Sequence, residues 1–364
     1  MVLTKFAFQI TGLDTVSLNS FEIEALDLGQ LNLLVGKNAC GKTTVIDYVG
    51  YLAVMLNGSS ANYIGKWQVS WQDEETKTIY EYRFDKKFPL TGIFIEEYFT
   101  ENGKMLFERK NDKGKIFSYG WKNDYEDINP PMDKHILNIR RDEKEYPYLE
   151  KIAKWAEGVH SFKFGHIHAP TFMPGALDKR SLPSIKDKDF NKILGDLNEP
   201  IKNKIIEDFN QLGYNVQLLE VKKEGEQNVL FVKENDLKFQ IRYSQLSQGM
   251  FRSLSLLIFI HYLIEKEHSQ LIIIDDLCEG LDYDRATRLG KILFGRMKEK
   301  GIQFIATSND SFLMNVVDIE YWNVIQREGH AIKSFNYKNS QSKFEEFKTT
   351  GLNNFDLFAS NFLA

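Results

Sequence analysis

The stretch that decides the fold is GKNACGKT, Gly36–Thr43, which matches the phosphate-loop pattern G-x4-G-K-[ST] at every fixed position. Small residues let successive backbone N–H groups close around phosphate oxygens, and the following helix adds the positive end of its dipole. An apolar strand precedes the loop and an apolar helix follows it, as this chemistry requires. Lys42 is therefore expected to reach the outer phosphates of a nucleotide, and Thr43 to bind magnesium. The predicted nucleotide-binding residues are Gly36, Lys37, Asn38, Ala39, Cys40, Gly41, Lys42, Thr43 and Thr44.

A second motif, LIIIDDLCEGLD at Leu271–Asp282, reads as a buried strand that runs into a cluster of carboxylates. A phosphate loop requires a magnesium carboxylate on a neighbouring strand, and Asp275 is the candidate for it. The residue after this carboxylate commonly orients or activates the attacking water, so Asp276 is the candidate general base. Taken alone, the same acids could simply cap a strand end. Beside a phosphate loop, the magnesium interpretation is the stronger one.

The composition argues against a strongly basic nucleic-acid binder, a disulfide-rich protein and a membrane-spanning protein. The chain has 364 residues, of which 43% are hydrophobic, and its formal net charge is -5. No overall basic field favours nucleic acid, so a DNA contact would need a local patch. Two cysteines are too few for a disulfide framework, and the longest apolar run, SLLIFIHYLI, is shorter than the roughly 20 residues of a membrane span. We expect a cytoplasmic protein with no signal peptide and no membrane contact.

Hydrophobic periodicity predicts a chain of mixed strands and helices. Residues 66–117 alternate apolar and polar positions between polar turns, which indicates an antiparallel meander. Helical spacing follows in 133–163 and again in 189–213, and three strands are predicted within 214–243. A long apolar helix then leads to the acidic strand. No heptad pattern is long enough to form a coiled coil.

The third motif is LSQGM, Leu246–Met250, placed directly before that long helix. Alone it could be an ordinary helix cap. Together with the phosphate loop and the acidic strand, it resembles the signature of ABC-class, AAA-type ATPases, in which this segment of one subunit caps the ATP held by the other. ABC transporter subunits have a shorter separation between the phosphate loop and the signature. The chain therefore resembles SMC and RecF heads, and most closely the ATPases of bacterial abortive-infection and antiphage systems. The predicted signature residues are Leu246, Ser247, Gln248 and Gly249.

The resemblance implies an α/β P-loop NTPase of the ABC-ATPase head type. It would have a mixed-sheet core, an antiparallel β subdomain, an inserted helical and β lobe, and no long coiled coil. We predict a nucleotide-binding lobe at 1–130, an inserted lobe at 131–250 that ends in the signature, and a return to the core at 251–364.

The resemblance also implies ATP and Mg2+ as cofactors and a head-to-tail homodimer or higher oligomer. Asp282 would lie in the D-loop that crosses the dimer axis. The implied magnesium ligands are Thr43, Asp275 and a glutamine of the first lobe, for which Gln68 is the candidate and Gln72 a close second. A plain strand glutamine remains the alternative for either position.

Two positions depart from the pattern of the class. The residue after the magnesium aspartate is usually Glu, whereas Asp276 is one methylene shorter, and small misplacements of a general base cost large factors in rate. The late strand usually ends in a histidine that contacts the γ-phosphate, and Asn309 stands there instead. Glu279 is a weaker candidate for a carboxylate that takes over as general base from the shorter Asp276. Both departures predict slow hydrolysis and long residence in the ATP state.

The function predicted from these residues is an ATP-dependent sensor, switch or scaffold for a separate effector or toxin in antiphage defence. A RecF-like DNA-maintenance ATPase is the first alternative, although the charge does not indicate nucleic acid, and a nucleotide-binding scaffold without turnover is the second. Cys40 and Cys278 are expected to be buried fillers rather than redox switches. His160, His166 and His168 are expected to be ordinary packed or solvated histidines, since a metal site would need further ligands.

Overall fold

The computed structural model describes residues 1–10, 21–58, 64–87, 93–164, 187–266, 269–360 and 362. His166 and His168 lie outside the described residues. The strands are β1 (Val2–Gln9), β2 (Glu22–Asp27), β3 (Leu31–Val35), β4 (Gly65–Gln72), β5 (Ile79–Lys87), β6 (Ile93–Glu101), β7 (Lys104–Lys110), β8 (Lys113–Ser118), β9 (Asp124–Ile128), β10 (Val159–Lys163), β11 (Val216–Glu224), β12 (Gln227–Glu234), β13 (Ile241–Arg242), β14 (Leu271–Asp275), β15 (Gln303–Thr307), β16 (Trp322–Glu328) and β17 (Ala331–Asn336).

The helices of the described residues are α1 (Lys42–Leu56), α2 (Ile136–Ile139), α3 (Pro147–Glu157), α4 (Asp187–Asp196), α5 (Glu199–Gln211), α6 (Gln248–Lys266), α7 (Tyr283–Lys300), α8 (Ser311–Val316), α9 (Gln341–Thr349) and α10 (Asn354–Ala359). The longest of these, α6, has 19 residues, so the described part of the chain contains no coiled-coil arm. In that same part, no helix is both long and apolar enough to cross a membrane.

One fourteen-stranded mixed sheet organises the fold, in the order β10-β14-β15-β3-β16-β17-β2-β1-β4-β5-β6-β7-β8-β9. Strands β10, β14, β15, β3 and β16 run parallel, so their carboxyl ends meet at one edge of the sheet. From β1 to β9 the pairing is antiparallel, as predicted for the meander, and it continues past the predicted end to Ile128. A separate sheet contains β11, β12 and β13.

The apolar run of β14 is explained by burial on both faces. Leu271 and Ile273 belong to one core cluster, which includes the buried face of α1, whereas Ile272 and Ile274 belong to the cluster that includes α6. A strand covered on both faces has no solvent side, so its residues do not alternate with polar ones. The parallel centre of the sheet therefore lies between two helical layers, and its carboxyl edge is where side chains can reach solvent.

The helical prediction for 189–213 is confirmed: the stretch forms α4 and α5, and Asn198 begins α5 by accepting a hydrogen bond from the backbone N–H of Ile201. One sequence-based prediction of local structure was wrong. Residues 159–163, assigned to a helical segment, form β10 and pair in parallel with β14. The predicted mixed sheet with its antiparallel block is confirmed, and the division at residues 130 and 250 stays a prediction.

Candidate functional site

The phosphate loop connects β3 to α1 at the carboxyl edge of the sheet. Ala39 and Gly41 both have positive φ angles, of 63° and 103°, which turn the chain tightly into the helix. A Cβ atom at Gly41 would lie 2.3 Å from Cδ1 of Ile332, so both the backbone conformation and the packing require glycine there. Lys37, Asn38 and Ala39 are exposed, with Gly36 and Cys40 buried at either side.

Lys42 is folded back over this loop. Its side chain is only 6% exposed, and Nζ donates hydrogen bonds to the carbonyl oxygens of Gly36, at 2.8 Å, and of Lys37, at 3.4 Å. A buried ammonium group needs acceptors, and here the loop's own carbonyls supply them. The ammonium is thus held at the loop, where phosphate oxygens could replace the carbonyls.

Three residues from distant parts of the chain meet beside the loop. Thr43 Oγ1 donates a hydrogen bond to Oδ1 of Asp275 at 3.2 Å. Thr307, at the end of β15, donates from its Oγ1 to the same carboxylate oxygen at 2.5 Å. Asp275 is 3% exposed, so these two hydroxyls fix the orientation of a nearly buried carboxylate. Sequence reasoning found Thr43 and Asp275 but missed Thr307, whose only signal was a threonine before the polar end of the late strand.

Asp276 follows with a left-handed backbone conformation, φ 51°. Its N–H donates to Oγ1 of Thr307 at 2.9 Å, and the N–H of Leu277 donates to the carbonyl of Thr307 at 2.9 Å. The turn after β14 is therefore fastened to the end of β15. The Glu279 side chain is exposed, and its carbonyl accepts a hydrogen bond from Nη1 of Arg252 in α6 at 3.0 Å.

The predicted signature segment and D-loop lie together around one cavity that no phosphate-loop residue lines. They line a cavity of about 370 Å3 with Tyr214 and Arg285. Ser247 precedes the first turn of α6, and Asp282 caps α7 by accepting a hydrogen bond from the N–H of Arg285 at 3.0 Å. The guanidinium of Arg285 lies 4.5 Å from the ring centre of Tyr214 and pairs with Asp282. That backbone hydrogen bond and the Arg285 charge hold the pKa of Asp282 below its usual range.

The structure does not bring Gln68 to this edge. In β4, Trp67 is buried and lies 5.8 Å from Tyr48 of α1, measured between ring centroids. Adjacent residues of a strand point to opposite faces, so Gln68 faces away from α1, and Gln72 has the same parity. The exposed Gln68 side chain borders a different depression, which contains no phosphate-loop residue. The structure therefore gives no support to either glutamine as a magnesium ligand.

The strand next to β14 offers a charged pair that sequence reasoning missed. Lys163, at the end of β10, is in register with Asp275, and its Nζ lies 3.6 Å from Oδ1 of Asp47 in α1. Burial raises the pKa of Asp47, Lys163 counters that rise, and the nearby Asp275 adds to it. The signal was hidden because VHSFK is short and lies in a segment with helical spacing.

The remaining predicted residues have simple environments. The Asn309 side chain is exposed. The next residue, Asp310, caps the N-terminus of α8. Cys40 and Cys278 are buried, as expected for side chains that fill space, and burial raises the pKa of both thiols. His160 is partly buried against Phe259, and burial lowers its pKa to about 4. Within the described residues, no group of three or more His, Cys, Asp or Glu side chains forms a metal cage.

The donor set fits magnesium arriving with a nucleotide. Mg2+ prefers oxygen ligands, keeps several waters, and is usually bound by one or two carboxylates together with substrate phosphates rather than by an all-protein cage. The Thr43 hydroxyl and the Asp275 carboxylate are two such oxygens, already within hydrogen-bond distance of each other. A cavity of about 630 Å3 also adjoins the loop, lined by Lys37, Asn38 and the helix α10 residue Phe358 among others.

The family model described as "AAA domain, putative AbiEii toxin, Type IV TA system" matches residues 31–315. The chain belongs to this family. The match includes the phosphate loop, the signature segment, the acidic strand and Asn309, so it covers every predicted site of this AAA domain. No match is found among curated proteins.

Solved SMC heads share the fold of this AAA domain. The SMC head domain from Thermotoga maritima aligns with a TM-score of 0.50 at 13% identity, covering 92% of this chain and 99% of that one. An SMC head bound to the C-winged helix domain of ScpA gives 0.56 at 12% identity, with coverage of 94% and 100%. A head with an extended coiled coil, bound to the C-terminal domain of ScpA from Pyrococcus furiosus, gives 0.50 at 12%, with coverage of 95% and 99%. The resemblance to an SMC-like ATPase of the abortive-infection type is confirmed.

Proposed function

We propose that this chain binds ATP with magnesium and hydrolyses it slowly. The observation that carries the proposal is the convergence of Thr43, Asp275 and Thr307 beside a phosphate loop whose lysine is already buried against it. A fold hosts many functions, so the site rather than the likeness to SMC heads supports this conclusion.

Each residue has a distinct role in the proposal. The loop N–H groups and Lys42 would bind phosphate oxygens, and the 630 Å3 cavity would receive the rest of the nucleotide. Thr43 and Asp275 would hold magnesium, which supplies charge neutralisation to the phosphates. Asp276 would accept the proton of the attacking water.

Slow hydrolysis is supported by the way the backbone of Asp276 is held. Its N–H is fastened to Thr307, so the main chain has little freedom to move the shorter carboxylate toward the water. A misplacement of about 1 Å can cost roughly a hundredfold in rate. The exposed Asn309 can offer only an amide to phosphate and carries no charge.

A head-to-tail dimer would complete the site. The 370 Å3 cavity combines Ser247, the N-terminus of α6 and the D-loop in one place, and no residue of the chain's own phosphate loop lines it. Such a helix start favours a negatively charged ligand. We infer that it caps the ATP held by a second copy, and that ATP binding brings the two copies together.

We further propose that the chain acts as a switch for a separate effector in antiphage defence. The family description names a putative AbiEii toxin of a type IV toxin–antitoxin system, which supports a role in a system of paired proteins. A scaffold that binds ATP without turnover is the second candidate, favoured by the shortened Asp276 and the exposed Asn309. Retained ATP affinity without phosphate release from the native chain would select the scaffold.

Nucleotide affinity tests the proposal. The purified chain should bind a fluorescent ATP analogue in the presence of Mg2+, and Lys42→Ala should lose most of that affinity because the phosphates lose their buried cation. Lys110→Ala is the matched control, since Lys110 is 73% exposed on β7, far from the carboxyl edge. Equal affinity in wild type and Lys42→Ala would contradict the proposal.

A further inference from the structure

The end of β10 lies beside the proposed site, although nothing in the phosphate-loop pattern predicts a residue there. Strand β10 is the parallel neighbour of β14, and Lys163 is in register with Asp275. Its neighbours Phe162 and Phe164 are buried in the cluster that contains α6. The alternation of the strand therefore directs Lys163 to the opposite face, where α1 packs.

Asp47 meets Lys163 on that face. It lies one helical turn after Thr43 in α1, so the two side chains share one side of the helix. Its Oδ1 is 3.6 Å from Nζ of Lys163, and both side chains are mostly buried, with 22% and 30% exposed. Both side chains therefore remain partly accessible to water.

We propose that Lys163 and Asp47 are positioning residues for the magnesium ion, a role that rests on the proposed function. Asp47 would accept hydrogen bonds from water molecules on the ion, which keeps several waters in such sites. Lys163 would hold Asp47 in place and offset the negative charge that Asp47, Asp275 and the phosphates bring together.

Charge and geometry both favour this role over that of an ion pair that only stabilises the packing of β10 against α1. The pair stands beside Asp275 and one turn from Thr43, the two magnesium ligands, rather than at a remote point of the interface. Polar groups just outside a metal's ligands orient those ligands and tune the metal, and their loss typically costs 10- to 100-fold in metal affinity.

The test measures how strongly Mg2+ improves nucleotide affinity, taken as the ratio of the Kd in EDTA to the Kd at each Mg2+ concentration. Asp47→Asn should raise the Mg2+ concentration needed for half of this improvement by about tenfold or more. Lys163→Met should shift it in the same direction, and neither should change the Kd in EDTA. Lys204→Met is the control, because it breaks an ion pair of 2.7 Å between α5 and α6, away from the site.

An exchanged pair, Asp47→Lys with Lys163→Asp, separates the two roles. A fastening pair would work in either orientation, so the exchange would then restore both the thermal unfolding temperature and the Mg2+ response. We expect the exchanged pair to unfold at a higher temperature than the single variants Asp47→Asn and Lys163→Met. We expect its Mg2+ response to stay as weak as theirs.

Three outcomes would overturn the inference. Recovery of the Mg2+ response in the exchanged pair would mean that the two residues only hold β10 against α1. A wild-type Mg2+ response in Asp47→Asn would sink it while leaving the proposed function intact. Absence of Mg2+-dependent nucleotide binding in the wild type would remove both together. Because Asp47→Asn is nearly isosteric, it keeps the test valid even where the exchanged pair fails to fold.

Discussion

Thr43 and Asp275 are 232 residues apart in the sequence, and Oγ1 of Thr43 donates a hydrogen bond to Oδ1 of Asp275 at 3.2 Å. The contact exists because β3 and β14 flank β15 in the parallel centre of the sheet, so their carboxyl ends come together. Both halves of the proposed site therefore depend on correct assembly of the sheet from the two ends of the chain.

Lengthening the candidate base should speed hydrolysis. Asp276→Glu moves the carboxylate outward from a backbone that Thr307 holds in place. Because general-base catalysis is sensitive to placement, we expect turnover to rise roughly 10- to 100-fold. Steady-state phosphate release at saturating MgATP measures the effect. A rate that is unchanged or lower would mean that the site is tuned to aspartate, and the slow-switch interpretation would lose its main support.

Thr307 should matter for both stability and magnesium. Thr307→Val keeps the shape but removes the hydroxyl that bonds Asp275 and accepts from the N–H of Asp276. Leaving buried polar groups unpaired costs about 1 to 3 kcal/mol, which urea unfolding would detect. Mg2+-dependent nucleotide binding should weaken in parallel. Thr307→Ser keeps the hydroxyl and is the control; identical behaviour of the valine and serine variants would contradict this role.

The stability of the fold should fall in mild acid because of His160. Its pKa is about 4 in the folded chain, against about 6.5 when unfolded. The depressed folded value means that its contribution is present above pH 6.5 and is lost as the pH falls toward 4, by up to about 3 kcal/mol. His160→Leu should remove this part of the pH dependence. Urea unfolding from pH 8 to 4.5 compares the two chains, and superimposable pH profiles would refute the prediction.

How far the sequence predicts the site depends on how local each signal is. Lys42 and Thr43 lie in one continuous motif, and Asp275 ends a strand whose apolar run is unmistakable, so these were predictable. Their relative placement followed only from the resemblance to a known class.

What the sequence does not predict is set by the order of the strands in the sheet. Gln68 was named from the resemblance alone, and the alternation of β4 turns its side chain away from α1. The proposed role of Lys163 depends on the pairing of β10 with β14, and nothing in VHSFK predicts that pairing. Thr307 likewise contacts Asp275, a residue distant in the sequence. Such information lies in tertiary contacts rather than in local patterns.

The central claim, an ATP-driven dimer with slow turnover, is tested most directly by the mass of the particle in solution. Light scattering on Asp276→Asn, which should trap bound ATP, should show twice the monomer mass with MgATP and the monomer mass without it. Adding Ser247→Arg, which fills the signature cavity, should keep the chain monomeric, whereas Ser244→Arg, at an exposed position just before the signature, should not. A monomer mass at MgATP concentrations that saturate binding would contradict the account.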